Sequence, residues 1–263
     1  MPVSTADKAA RFRALHEAPR AFVIANAFDA GSAVLLAKKG FECLATSSGA
    51  AAGVLGRRDG EISRDEAMTH SLAIASATDL PVSGDLENGF GDRPAHVAET
   101  IRRAGACGLV GGSIEDYTGD KSRGLYPLDV AVQRIEAAVA AARSLDFPGF
   151  VLTARAENFL RGQPDLGDTI ARLRAYEAAG ADVLFAPGLP DLDAVRAVCA
   201  ALDKPFNFMV GMKGKSWDVA TLEGVGVRRI SLATSLWRAA MAGVAAAADE
   251  VRGSGSFSYV ERL

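Results

Sequence analysis

Three histidines and three cysteines are all that the 263 residues offer of the side chains that most often serve as nucleophile, general base or zinc ligand. His16 falls in the N-terminal segment, while His70 and His96 fall inside stretches of helical periodicity, away from any strand end, where packing or surface roles are expected. A Ser-His-Asp or Cys-His mechanism therefore has no evident base. Cys43, Cys107 and Cys199 are odd in number, far apart and set in apolar surroundings. That argues against a disulfide framework or a zinc site and for buried free thiols. A surplus of positive charge is also missing: 29 Lys and Arg against 32 Asp and Glu leave a formal charge of -3, with no basic face for nucleic acid and no polybasic membrane anchor. No apolar run has the length of a membrane span, and Met1 to Arg20 is charged without the apolar core of a secretory signal. A cytoplasmic protein whose partners are small molecules or further copies of itself is expected.

What the chain has is a regular alternation. With 49% apolar residues it can bury a large core. Short apolar runs at residues 21–26, 41–46, 80–86, 108–114, 150–154, 181–186, 205–210 and 228–233 read as strands. Helical periodicity lies between them at 29–39, 64–77, 94–104, 128–144, 166–179 and 192–201, and a long Ala-rich helix follows at 235–251. The small-residue stretch from Ser47 to Gly53 reads as a loop. Eight such units predict a single (β/α)8 barrel over residues 1–252 with a tail over 253–263, catalytic groups gathering at the C-terminal strand ends. An open doubly wound sheet is the alternative, weakened because no G-x-G-x-x-G follows the first strand.

The segment Ser83-Gly84-Asp85-Leu86-Glu87-Asn88-Gly89 ends the third run in two carboxylates two residues apart. On a strand such residues face one side, and two anions so close repel unless a cation lies between them. Oxygen-only ligands suit a hard ion such as magnesium; the alternative is a pair of solvated carboxylates. The barrel reading gathers Ser48, Gly49, Asp85, Glu87, Glu115 and Arg155 around one mouth, with Asp59 arriving from the second loop. Such a set fits a metal plus an anionic substrate whose carboxylate Arg155 holds bidentately. The alternative for Arg155 is a structural ion pair with Glu115 or Glu157. With no histidine base, electrophilic metal catalysis on a substrate able to carry enolate charge remains. Lys121, in a polar loop between Gly119 and Gly124, is a candidate catalytic group on a lid, or a solvated lysine. Asn207 and Trp217 are candidates to line the substrate end, or packing residues.

The segments Asn26-Ala27-Phe28-Asp29-Ala30-Gly31-Ser32-Ala33, Ser48-Gly49, Arg58-Asp59, the D-x-E-x-G-x-G at Asp85, Ile114-Glu115-Asp116 and Thr153-Ala154-Arg155-Ala156-Glu157 together resemble the isocitrate lyase and phosphoenolpyruvate mutase superfamily. The resemblance implies a magnesium-dependent barrel, manganese being an acceptable substitute, with a C-terminal helix exchanged between subunits of a homodimer or homotetramer. It implies Asp85 as direct magnesium ligand, with Asp59, Glu87 and Glu115 holding its waters. Ser48, the Gly49 and Ala50 amides and Arg155 would bind the substrate carboxylate. Glu87 stands where Asp is commoner. The K-x-C-G-H loop of the isocitrate and methylisocitrate lyases is absent, since this chain has Asp120-Lys121-Ser122-Arg123, and the Lys-Thr-Asn lid of the phosphonate branch is only partly matched. The expectation is a carbon–carbon lyase or hydrolase for a small 2-oxo or dicarboxylic acid, oxaloacetate-like. The alternatives are a phosphonopyruvate hydrolase or phosphoenolpyruvate mutase, and an oxo-acid binding protein with little catalysis.

Overall fold

The computed structural model describes residues 3 to 262; Met1, Pro2 and Leu263, which fall within the expected barrel and tail segments, lie outside the described residues. Along the chain run α1 (Thr5–Glu17), β1 (Phe22–Asn26), α2 (Ala30–Lys38), β2 (Leu44–Ala45), α3 (Ser48–Val54), α4 (Arg64–Ser76), β3 (Val82–Asp85), α5 (Pro94–Ala106), β4 (Gly111–Glu115) and α6 (Leu128–Arg143). They continue with β5 (Val151–Arg155), α7 (Leu166–Ala178), β6 (Val183–Phe185), α8 (Leu192–Ala200), β7 (Phe206–Met209), α9 (Val219–Gly224), β8 (Arg229–Ser231) and α10 (Ser235–Ser254). The eight strands close in sequence order, every pair parallel, β1 against β8. This is a (β/α)8 barrel, as the alternation predicts.

Register carries the chemistry to one end. Asp85 pairs with Ser113, and Glu115 pairs with Arg155, so three charged groups emerge side by side at the C-terminal rim. The opposite end is closed by α1, whose Phe12 is fully buried with Ile24, Val110, Val151 and Val183. A Cβ on Gly111 would lie 2.7 Å from the Phe12 ring, which shows how deeply that plug enters the barrel; emptying it would cost about 3 kcal/mol or more.

Some element boundaries depart from expectation. The stretch from Ser47 to Gly53 is a helix rather than a loop: Ser47 is its N-cap and accepts from the Ala50 amide at 3.3 Å, and three alanines propagate the turn. α5 runs through Gly105 to Ala106, because the left-handed stop falls at Gly108, φ 82°. α9, capped by Asp218, fills the connection between β7 and β8 where no helix was expected. α10 continues to Ser254, past the Gly253 at which a tail was expected. None of its residues is buried, and Met241 and Val244 are exposed.

His16 packs edge-on against Phe12 and Phe22, with ring centroids at 4.6 and 4.9 Å. Its Nδ1 lies 2.8 Å from the Phe12 carbonyl, which only accepts, so Nδ1 carries the proton and Nε2 accepts from Arg229 Nη1 at 3.3 Å. Burial first, and the Arg229 charge second, push its pKa down to about 3. Between about pH 6.5 and 3 the unfolded chain therefore takes up a proton that the folded chain refuses, and stability falls with pH by up to about 1.4 kcal/mol per unit. Urea unfolding of wild type and His16→Asn from pH 7 to 4.5 should show the steeper loss in wild type; parallel profiles would refute this account of the ring.

Candidate active site at the barrel mouth

β3 ends at Asp85, and the chain then turns through Glu87 and Phe90, both non-glycine residues in the left-handed region at φ 48° and 57°. Glu87 thus reaches the mouth through a turn rather than through the strand register expected for it. Such backbone costs roughly 1 kcal/mol or more per residue and persists only when neighbours impose it. Here Arg134 of α6, almost wholly buried, donates to the carbonyls of Asn88, Gly91 (2.7 Å) and Asp92, while its guanidinium lies 4.1 Å over the Tyr126 ring. Thr100 adds a hydroxyl to the Gly89 carbonyl at 2.7 Å.

Asp85 Oδ2 accepts from both the amide and the hydroxyl of Ser48, each at 3.0 Å. Its Oδ1 accepts no hydrogen bond and lies 3.9 Å from Arg155 Nη1; Glu87 Oε1 is likewise buried without a donor. Burial, then the charges of Asp85 and Asp59, push the Glu87 carboxyl up to about 8. Asp59 sits on an exposed loop, but its carboxylate turns inward, and desolvation followed by the Asp85 charge raises its pKa. The inward turn requires Gly49: a Cβ there would lie 2.9 Å from Thr234 Cγ2 and 3.4 Å from Asp59 Cγ.

Arg155 meets carboxylates on three sides: Glu157 in direct contact, Glu115 at 3.4 Å and Asp85 at 3.9 Å. Burial opposes its charge, yet these three anions outweigh that and push its pKa further up. Arg161 closes the group, 2.9 Å from Glu157 and 3.3 Å from Glu115, with its guanidinium 3.8 Å over the Tyr117 ring. Glu115 is held well above the usual carboxylate range, by burial first and the Glu157 charge second. Arg155 is therefore engaged in the structural ion pairs weighed as its alternative role, and it lines the cavity as well.

Among the described residues Asp59, Asp85, Glu87, Glu115 and Glu157 are in charge contact with Arg155 and Arg161 alone at the mouth, so negative charge is in excess. The two buried carboxylate oxygens without donors lie where that excess is greatest, which fits a cation. Among the described residues no three His, Cys, Asp or Glu side chains converge closely enough to ligate one ion directly. The donor set therefore suits an ion with few protein ligands and several waters, such as magnesium.

Below this cluster lies a cavity of about 200 Å3, lined in part by Ser48, Gly49, Asp59, Asp85, Arg155 and Asn207. Ala50, Glu87, Glu115 and Lys121 do not line it. The Ala50 amide is occupied by Ser47, and Lys121 stands exposed in a turn whose base is fixed by a Tyr117–Leu125 bridge. Asn207 is committed at both ends, donating to Ser231 at 3.0 Å and accepting from Arg229 at 2.8 Å. Trp217 packs on Phe208 at 5.6 Å. Sequence reasoning missed Arg161, Arg134 and Arg229. The spacing of Arg161 four residues after Glu157 was the available signal for the first; nothing local marks the other two.

A family model for phosphoenolpyruvate phosphomutase matches residues 12–252. An oxaloacetate decarboxylase from Chromohalobacter salexigens is 33% identical over 82% of this chain and 76% of its own length. A 2-methylisocitrate lyase from Escherichia coli K12 is also 33% identical, over 74% of this chain and 67% of its own. A crystal structure from Burkholderia cenocepacia J2315, its activity given only as lyase or mutase, superposes with a TM-score of 0.95 at 50% identity, over 98% of this chain and 92% of that one.

The mouth makes one energetic prediction. Glu157→Gln leaves Arg155 and Arg161 each short of a counter-charge in a buried setting, and should cost about 3 kcal/mol in urea unfolding with chelator present. Glu99→Gln, which breaks the exposed Arg102–Glu99 pair, should change stability by less than about 0.5 kcal/mol. Equal losses would contradict the buried network.

Proposed function

The chain belongs to the phosphoenolpyruvate phosphomutase family and is an enzyme of the phosphoenolpyruvate mutase and isocitrate lyase superfamily; from that premise we propose that it cleaves the bond to C3 of a small 2-oxo or 2-hydroxy dicarboxylic acid, oxaloacetate-like, with a divalent cation at Asp85. Members of the superfamily are generally divalent-metal dependent. The observation that carries the reading is the excess of carboxylates, two of them with buried oxygens lacking any donor, directly above a cavity that Arg155 also lines.

Asp85 holds magnesium or manganese directly in this reading, its other oxygen fixed by Ser48, while Asp59, Glu87 and Glu115 take the ion's waters. The bound cation supplies Lewis-acid stabilisation of the negative charge that builds on the substrate's 2-oxo oxygen. Arg155, held by Glu157 and Glu115, faces a substrate carboxylate from the cavity wall, with Ser48 and Gly49 on the other side. The absence of a cysteine or histidine in the 119–124 turn disfavours cleavages whose leaving fragment needs a proton there. Decarboxylation needs none for its leaving group: the C3–C4 electron pair moves toward C2, carbon dioxide departs, and C3 takes a proton from solvent. Lys121, in solvent as folded, is then dispensable.

Carbon–phosphorus chemistry is the second reading, favoured by the family model itself. Against it, Arg123 faces away from the cavity and is paired with Asp92 at 3.1 Å. Incubating wild type and Asp85→Ala with a panel of oxo-acids and with phosphonopyruvate, in Mg2+ and in Mn2+, separates the two. The expected result is turnover of oxaloacetate or a close diacid, falling on the order of 100-fold in the variant. Undiminished turnover by Asp85→Ala would sink the mechanism, and phosphonopyruvate consumption followed by phosphorus NMR would establish the second reading.

A further inference from the structure

The buried arginines of this barrel are not alike. Arg172 is paired with Asp116 and Asp168, and Arg134 spends its N–H groups on three carbonyls beneath a tyrosine ring. Arg229, only 5% exposed, has neutral partners alone: Nε donates to Asn207 Oδ1 at 2.8 Å, Nη2 to Thr153 Oγ1 at 2.8 Å and Nη1 to His16 Nε2 at 3.3 Å. Among the described residues no Asp or Glu is ion-paired with it. Of the five N–H bonds of a guanidinium, these contacts use three and leave one on each terminal nitrogen.

Arg229 also lines the cavity that opens at the mouth. A (β/α)8 interior is ordinarily filled by layers of branched apolar side chains. Here Ala45, Ser83 and Ser113 contribute small inward residues on three neighbouring strands, and the space they leave runs down to the guanidinium. A buried cation without a counter-charge is costly, by several kcal/mol per ion even after relaxation. Burial indeed lowers the Arg229 pKa to about 10, with no carboxylate opposing it.

We propose that the deep end of this cavity is an anion subsite in which Arg229, oriented by Asn207, Thr153 and His16, takes a carboxylate group. Thr153 stands two residues before Arg155 on the same face of β5, roughly 6.6 Å earlier along the strand, so the Arg229 guanidinium it binds lies deeper in the barrel than Arg155. A small diacid has one carboxylate for each of the two guanidiniums. The group has two sources, a free small carboxylate or the distal end of a diacid substrate. Only the second rests on the reading of the mouth given above.

The test uses the whole chain in chelator, so that no metal at the mouth contributes. Unfolding temperatures are measured in fluoride buffer with increasing formate, and with succinate at matched carboxylate concentration, for wild type, Arg229→Gln and Arg229→Lys. Wild type should rise by about 3 °C in saturating anion, Arg229→Lys by less and Arg229→Gln not at all. Equal response per carboxylate identifies a free anion, and a preference of tenfold or more for succinate identifies the diacid. Identical responses in wild type and Arg229→Gln, or none in wild type, overturn the subsite. Should Arg229→Gln not fold, bromide soaked into wild-type crystals decides: an anomalous peak against the guanidinium supports the subsite and its absence refutes it. Neither outcome depends on the Asp85 experiment, so the two readings fail separately.

Discussion

Like charges forced together at the mouth of a closed barrel set the terms for the rest of this molecule. Parallel register delivers Asp85, Glu115 and Arg155 to one rim, and loops bring Glu157 and Arg161 into contact with them and Asp59 and Glu87 within range of their charges. Two guanidiniums do not neutralise five carboxylates. Coulomb repulsion inside a partly desolvated site is several times stronger than in water, so the residual charge must be met by protonation or by a cation. The rise of the Glu87 carboxyl to about 8 shows the first response, and the donorless oxygens of Asp85 and Glu87 show the opening for the second.

Much of the surrounding structure holds this arrangement against its own repulsion. Arg134 fixes the left-handed turn that carries Glu87, using α6 and Tyr126 as backing. Ser48, at the start of a short helix, fixes one oxygen of Asp85, and Arg161 buttresses Glu115 and Glu157 from behind. Beneath them a second polar column runs from Asn207 through Arg229 to His16 and the α1 plug. The barrel thus stacks a negative layer over a positive one, an order that suits a ligand presenting a metal-coordinating end and an anionic end.

The barrel was legible because glycine recurs between the periodic segments and most strands end in or run straight into polar residues, β6 and β7 excepted. Asp59, Asp85, Arg155, Ser48 and Gly49 were legible as cavity neighbours for the same reason: strand ends face one mouth. Ser47 to Gly53 was not, because seven small residues carry no periodicity and the helix depends on the Ser47 cap and on packing against Trp237. Glu87 was placed near its partner but by the wrong route, since φ 48° at a glutamate is imposed by an arginine 47 residues away in sequence. Asn207 was named for a ligand; it lines the cavity and also holds Arg229, whose lack of a counter-charge emerges only when all eight strands are closed.

Whether the carboxylate excess is a cation site decides the chemistry of the mouth. Electron paramagnetic resonance of Mn2+ titrated into the purified chain addresses this without reference to any substrate. One Mn2+ should bind per chain, be displaced by Mg2+, and be lost in Asp85→Ala. Free Mn2+ signal throughout the wild-type titration, or binding undiminished in the variant, would contradict it.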